Sequence, residues 1–231
     1  MKIPLSNRLL TCCGFVKQGD RVADIGCDHG YLGIHLLKQG VASSVIAADV
    51  NEQPLQSAMG NAAKFGVSNQ MTFHLSDGVQ NIPRDFDCMV CAGMGADTMI
   101  SILEAAPWLK QDSYRLILQC QSKRPELRKW LHGAGFRINR ETLAKDGKFV
   151  YTVMEVVYGA GDTPSPGQLF ISPQLLADKH PLLSEYYERV KQGVQLVFYG
   201  TLPFDDPKMV FFRQVSEELT QMEEQIYGNN C

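Results

Sequence analysis

The sequence lacks any run of about 20 apolar residues, so nothing in it reads as a bilayer span. Charge-free stretches such as 192–204 are broken by Gln, Gly, Thr and Pro. A second CxxC or a paired-His motif is also missing. Cys88 and Cys91 therefore stand alone, and no metal site is expected. The segment that holds them reads as a strand, which would point the two thiols to opposite faces. Residues 1–10 carry Lys2 and Arg8 but no apolar core ahead of a small-residue cleavage site. With seven cysteines, an odd number, this points to reduced thiols in a cytoplasmic protein. There is no G-x-G-x-x-G fingerprint, no internal repeat and no low-complexity tract.

The 231 residues are 45% hydrophobic and 20% charged, enough for one α/β domain of about 160 residues and a smaller unit. The net charge of −3 is unevenly spread. Residues 1–158 hold 17 Lys and Arg against 15 Asp and Glu, a net +2, while residues 159–231 hold 5 against 10, a net −5. The densest basic stretch is Lys123, Arg124, Arg128, Lys129, Arg137 and Arg140 against Glu126 alone. A local basic face, rather than the total charge, bears on phosphate binding. These six residues are the expected nucleic-acid contacts, and a monomer or weak dimer is expected.

Apolar spacing sets the order of elements. Leu5, Leu9, Leu10 and Cys13 mark a first helix with Ser6 as N-cap. Strands follow at 21–26, 44–50, 71–76, 87–92 and 114–119. Helices are expected at 29–39, 52–65, 98–106 and 125–132, with Gly40 and Gly66 where C-cap glycines belong. Segments 136–144 and 148–158 read as a closing hairpin. The fold class is thus α/β: a doubly wound, mostly parallel, seven-stranded sheet over 1–158. Residues 159–167 form a linker by composition. Beyond it, 173–197 and 207–227 read as a C-terminal helical hairpin joined through 199–206.

In such a sheet the ligand lies beyond the carboxyl ends of the strands. The first loop there is Asp24-Ile-Gly26-Cys27-Asp28-His29-Gly30. Its glycines let backbone approach a ligand and open an electropositive helix N-terminus. The second ends at Asp49 and Val50, 23 residues after Gly26 for the acid, where a carboxylate can accept two ribose hydroxyls. The third, Asp77-Gly78, offers an acceptor for an adenine amino group or is a plain surface turn. The fourth, Ala92-Gly93-Met94-Gly95, leaves room for a flat base. The fifth holds Gln119 and Gln121, whose amides suit an adenine edge or are surface polar groups.

The first loop is close to the D/E-x-G-x-G-x-G loop of S-adenosylmethionine-dependent methyltransferases. Four stretches, Leu5-Ser-Asn-Arg8-Leu, Val22 to Leu32, Ala92 to Gly95 and Leu116 to Gln119, together resemble the bacterial tRNA (adenine-22-N1)-methyltransferases. The resemblance implies a Rossmann-like class I methyltransferase sheet, a helical C-terminal domain, S-adenosylmethionine as donor and tRNA as acceptor. It places Arg8, Gly26, Asp28, His29, Asp49, Asp77, Gly93 and Gly95 around the cofactor or the base. Asp24 or Asp28 would take the methionine ammonium. His29 would shape the pocket or move a proton, with Asp28, Gly93, Met94 and Gln119 also beside the reacting methyl. The Asn/Asp-Pro-Pro-aromatic tetrad of exocyclic-amine methylases is absent. Ala96 replaces a glycine, and Cys120 a proline, of many relatives. A small-molecule methyltransferase and a non-catalytic cofactor or RNA binder are the competing readings.

Overall fold

The computed structural model describes residues 3–198 and 205–228. Ser6 caps α1 (Asn7–Cys13) by accepting from the Leu9 amide at 3.4 Å. Next come β1 (Arg21–Ile25), α2 (Tyr31–Lys38), β2 (Ser44–Asp49), α3 (Glu52–Phe65) and β3 (Met71–Leu75). Then follow β4 (Cys88–Met94), α4 (Ala96–Glu104), β5 (Arg115–Cys120), α5 (Arg124–Gly133), β6 (Phe136–Asp146) and β7 (Phe149–Tyr158). The C-terminal part is α6 (Pro173–Ala177), α7 (Leu183–Phe198) and α8 (Pro207–Tyr227).

The seven strands order as β3-β2-β1-β4-β5-β7-β6, the first five parallel and β7 antiparallel to both neighbours. The central strands are buried on both faces, which requires helices on both sides. One apolar core joins α1, α2 and α3 to the sheet, and a second joins α4 and α5 to the other face. Cys88 belongs to the first and Cys91 to the second, so the two thiols do point apart. The crossover from β3 to β4 runs without an α-helix and fills its face with Val79, Ile82 and Phe86. A third core packs Ile171, Leu175, Tyr186, Tyr187 and Leu219 against Leu143 and Val150 of the closing hairpin.

Three local expectations change. The helix expected from residue 29 begins at Tyr31, because Asp28 and Gly30 both take left-handed backbone (φ 50° and 71°). The strand expected to end at Ala92 continues to Met94 through a bulge, and the glycine loop is partly strand. The single helix expected over 173–197 is two helices, α6 and α7. Lys179 turns left-handed (φ 46°), and Pro181 has no amide to donate and disfavours helical backbone at His180. The expected 199–206 connection lies mostly outside the described residues.

Candidate functional site

The carboxyl ends of β1 and β4 diverge around a cleft of about 560 Å³. Arg8 and Leu9 of α1 line it, as do Asp24, Gly26, Cys27, Asp28 and His29 after β1. Tyr31 and Leu32 come from the start of α2, Ala92, Gly93 and Met94 from β4, and Gln121 from the loop after β5. The first amides of a helix have no intrahelical acceptor; that of Gly33 in α2 goes to Asp24, and Tyr31 and Leu32 bring the start of the helix to the cleft.

Asp24 is the central feature. It is 5% exposed, and its Oδ2 has no hydrogen-bond partner. Burial pushes its carboxyl up to about 7, with the Gly33 amide opposing and the Asp49 charge adding to the rise. An unpaired carboxylate oxygen at the wall of a cleft suits a cation, and its cost when empty is the desolvation it suffers. Asp49 is held by two backbone donors: the Asn51 amide at 2.9 Å on Oδ1 and the Asp28 amide at 3.1 Å on Oδ2. Each oxygen keeps a lone pair for a hydroxyl. Val50 beside it is 63% exposed, an apolar side chain left on the rim. Asp77 is exposed at the end of β3, while Gly78 is buried where a Cβ would press on Ile102 at 2.8 Å.

Gly26 and Gly93 are needed as glycines. Gly26 has φ 70°, and a Cβ there would lie 2.2 Å from Met94 Cε. Gly93 has φ 88° at the bulge, and its amide donates to Gln119 Oε1 at 3.1 Å. The same Oε1 accepts from Arg8 Nη1 at 2.5 Å, and Gln119 Nε2 donates to the Cys120 carbonyl. Gln119 is fully buried with both amide ends engaged, so it is neither free to read a base edge nor a surface polar group, the two readings its sequence position offered. Its work is to pin Arg8 against the β4 loop, and the exposed Gln121 takes the place in the cleft. His29 is exposed with Nε2 3.6 Å from Asp28 Oδ1 and its ring 6.0 Å from that of Tyr31. Cys27 is buried, and burial pushes its thiol up, which makes it packing rather than a reactive group.

The expected basic face is broken up. Lys123 reaches Asp97 at 2.5 Å beside the mouth, and Lys129 is exposed on α5. Arg124 is half-buried, donating to the Val150 carbonyl and lying 5.1 Å from the Tyr186 ring centre. Arg128 is 3% exposed and makes a two-pronged ion pair with buried Glu141, which also accepts from Ser172 Oγ at 2.5 Å. It is a structural cation, not a phosphate contact. Arg137 pairs across β7 with Val157, itself opposite Arg115, at the edge of the sheet away from the cleft. Arg140 stacks 4.1 Å from the Phe15 ring centre. The signal for Arg128 was present: it shares a helical face with Leu131 and adjoins Leu127. Tyr31 and Leu32 had no marker as site residues, since they also fit the core stripe of α2. Among the described residues no cluster of His, Cys, Asp or Glu could hold a metal, and no helix is long and apolar enough to cross a membrane.

Comparison with known proteins decides the class. A family described as a methyltransferase domain matches residues 5–154. The chain belongs to this methyltransferase family. The methyltransferase is 27% identical over 203 residues to the tRNA (adenine(22)-N(1))-methyltransferase of Bacillus subtilis, covering 85% of each chain. It is similar to the crystal structure of the B. subtilis m1A22 tRNA methyltransferase TrmK, with TM-score 0.82 and 25% identity over 97% of this chain and all of that one. It is equally similar, at the same TM-score, identity and coverage, to Streptococcus pneumoniae Sp1610 in complex with S-adenosyl-L-methionine. Both likenesses include the C-terminal helices, so the methyltransferase shares their Rossmann-like architecture from end to end.

Proposed function

We propose that this chain transfers a methyl group from S-adenosylmethionine to N1 of an adenine in tRNA, position 22. The observation that carries the reading is the extent of the likeness to the B. subtilis enzyme: 85% of each chain, beyond residue 154 where the general methyltransferase match ends.

The residues present fit the donor. The orphaned Asp24 carboxylate suits its ammonium, and Arg8 with the α2 amides suits its carboxylate. Asp49 would accept the ribose hydroxyls, Asp77 the adenine amino group, and Val50 would lie against the adenine face. The donor supplies a methyl on a positively charged sulfur. Adenine N1 attacks that carbon in line with its in-plane lone pair. The N1–C bond forms as the C–S bond breaks, and the positive charge passes to the base. The chain's part is positioning and exclusion of water. The bare Gly93 backbone lets Arg8 and Gln121 come close to the bulge, where a flat base would lie in the cleft, and Arg8 and Gln119 hold that bulge still. His29, exposed beside Asp28 on the rim, would either shape the pocket or take a proton from the cationic base. N1 lies on the pairing edge, so the base must leave its pair before it reacts.

Incubation with radiolabelled donor and unmodified total tRNA, followed by nucleoside analysis, tests the reading. Label in 1-methyladenosine is expected, lost when adenine 22 is replaced by guanine. Label in any other nucleoside, or only in small molecules, overturns it.

A further inference from the structure

The β6–β7 hairpin outruns the sheet. The last β5–β7 pair is Leu118 with Met154, yet β6 and β7 continue for five more pairs, ending at Asp146 with Phe149. The overhang is about 16 Å. Side chains alternate along it. Leu143 and Val150 enter the third core, so the C-terminal helices cover one face of the overhang. Ala144 and Val153 enter the α1 core on the other face. Tyr151 and Phe149 continue that second face outward, Tyr151 half-buried under Arg8 of α1 and Phe149 beyond it, opposite Asp146, which Arg8 also reaches at 3.9 Å. Tyr151 lies 6.0 Å from the Arg8 guanidinium, and Arg8 lines the methyl-transfer cleft. Phe149 is 6.0 Å from Tyr151 and 48% exposed, with the exposed Lys148 ammonium 5.3 Å from its ring centre. The tip is braced from behind: Glu185 of α7 takes Lys145 at 2.7 Å and Arg189 at 3.0 Å, and Arg189 also donates to the Lys148 carbonyl.

We propose that this hairpin tip is a stacking platform for the base next to the target adenine, with Phe149 and Tyr151 as its surface and Lys148 as a phosphate contact. This rests on the reading of RNA as acceptor. An adenine that leaves its stack exposes the face of its neighbour, and an aromatic ring at the cleft rim replaces the lost partner. An exposed phenylalanine beside an exposed lysine, linked through Tyr151 to Arg8 at the cleft, matches the chemistry of unpaired RNA. The acidic C-terminal helices then serve RNA indirectly, as the brace that keeps the tip rigid.

Steady-state methylation of a tRNA transcript by wild type, Phe149→Ala and Phe149→Tyr tests the platform. Phe149→Ala should raise the KM for tRNA about tenfold, within the range of one base–aromatic stack, with kcat changed less and the Kd for S-adenosylmethionine and the Tm unmoved. Phe149→Tyr should restore the wild-type KM. Lys148→Glu should lower the magnitude of the log–log salt slope of tRNA binding by about 1. An unchanged KM in Phe149→Ala, or a loss that follows Tm or cofactor affinity, overturns the platform. An inactive wild type refutes the tRNA reading instead, so the two failures are distinct.

Discussion

Replacing Asp24 by Asn should make the ligand-free protein more stable and weaken its cofactor binding. The Asp24 carboxyl is raised from 3.8 to about 7 by burial without a counter-charge. The folded protein therefore holds this proton more tightly than the unfolded chain between about pH 4 and pH 7. Stability from this group is fully present at the acid end and is lost as pH rises through that window. Three pH units at about 1.4 kcal/mol each make the burden about 4 kcal/mol above pH 7. Asn keeps the shape and removes the charge, but it leaves a buried amide short of partners. A net gain of about 1–3 kcal/mol at pH 8 and almost none at pH 4.5 is expected. Scanning calorimetry at the two pH values measures it, as a rise in Tm of several degrees at pH 8 only. Titration calorimetry should show S-adenosylmethionine affinity falling about 10–100-fold, because a charge-assisted bond to the ammonium is lost. In wild type, binding near pH 6 should release a proton, visible as a dependence of the heat on the buffer. A variant destabilised equally at both pH values would refute the buried charge, and unchanged affinity would refute the ammonium site.

Three further outcomes are expected. Asp49→Ala should weaken cofactor binding by about 1–3 kcal/mol in the same titration, since the ribose hydroxyls lose a charged acceptor held by two amides; an affinity within error of wild type removes Asp49 from the site. His29→Asn should keep cofactor affinity and most of the single-turnover rate if the ring only shapes the rim. A rate drop of about 10²–10⁴-fold, with loss of an ionisation from the pH–rate profile, would instead make it a proton carrier. Glu141→Gln should destabilise the fold by about 3–5 kcal/mol in denaturant titration by stranding buried Arg128, while Arg128→Met with Glu141→Leu recovers much of the loss. Similar stability for the single and double variants would deny the coupling.

Much of this protein follows from local rules. Ser6 before an apolar helical stripe, Gly66 after another, and glycines with acids behind apolar strands are short-range signals, and they locate the elements and the loops that meet at the cleft. The split of the tail helix was also within reach, since Pro181 stands inside it. What a polar residue faces was not. In a parallel sheet covered on both sides, apolar residues fill both faces, and no alternation tells whether Gln119 points to a ligand or to the interior. Its partner Arg8 lies 111 residues away, so only the packed fold could show its amide consumed. Charge density misled in the same way. Lys123 to Arg140 are close along the chain, but a helix followed by a strand that starts at the far edge of the sheet carries them to the mouth, the core and the opposite end. Sequence spacing determines which residues neighbour one another along an element. Burial, the direction of each strand and the register between elements far apart in the chain decide which charges meet water, and these are properties of the tertiary structure alone.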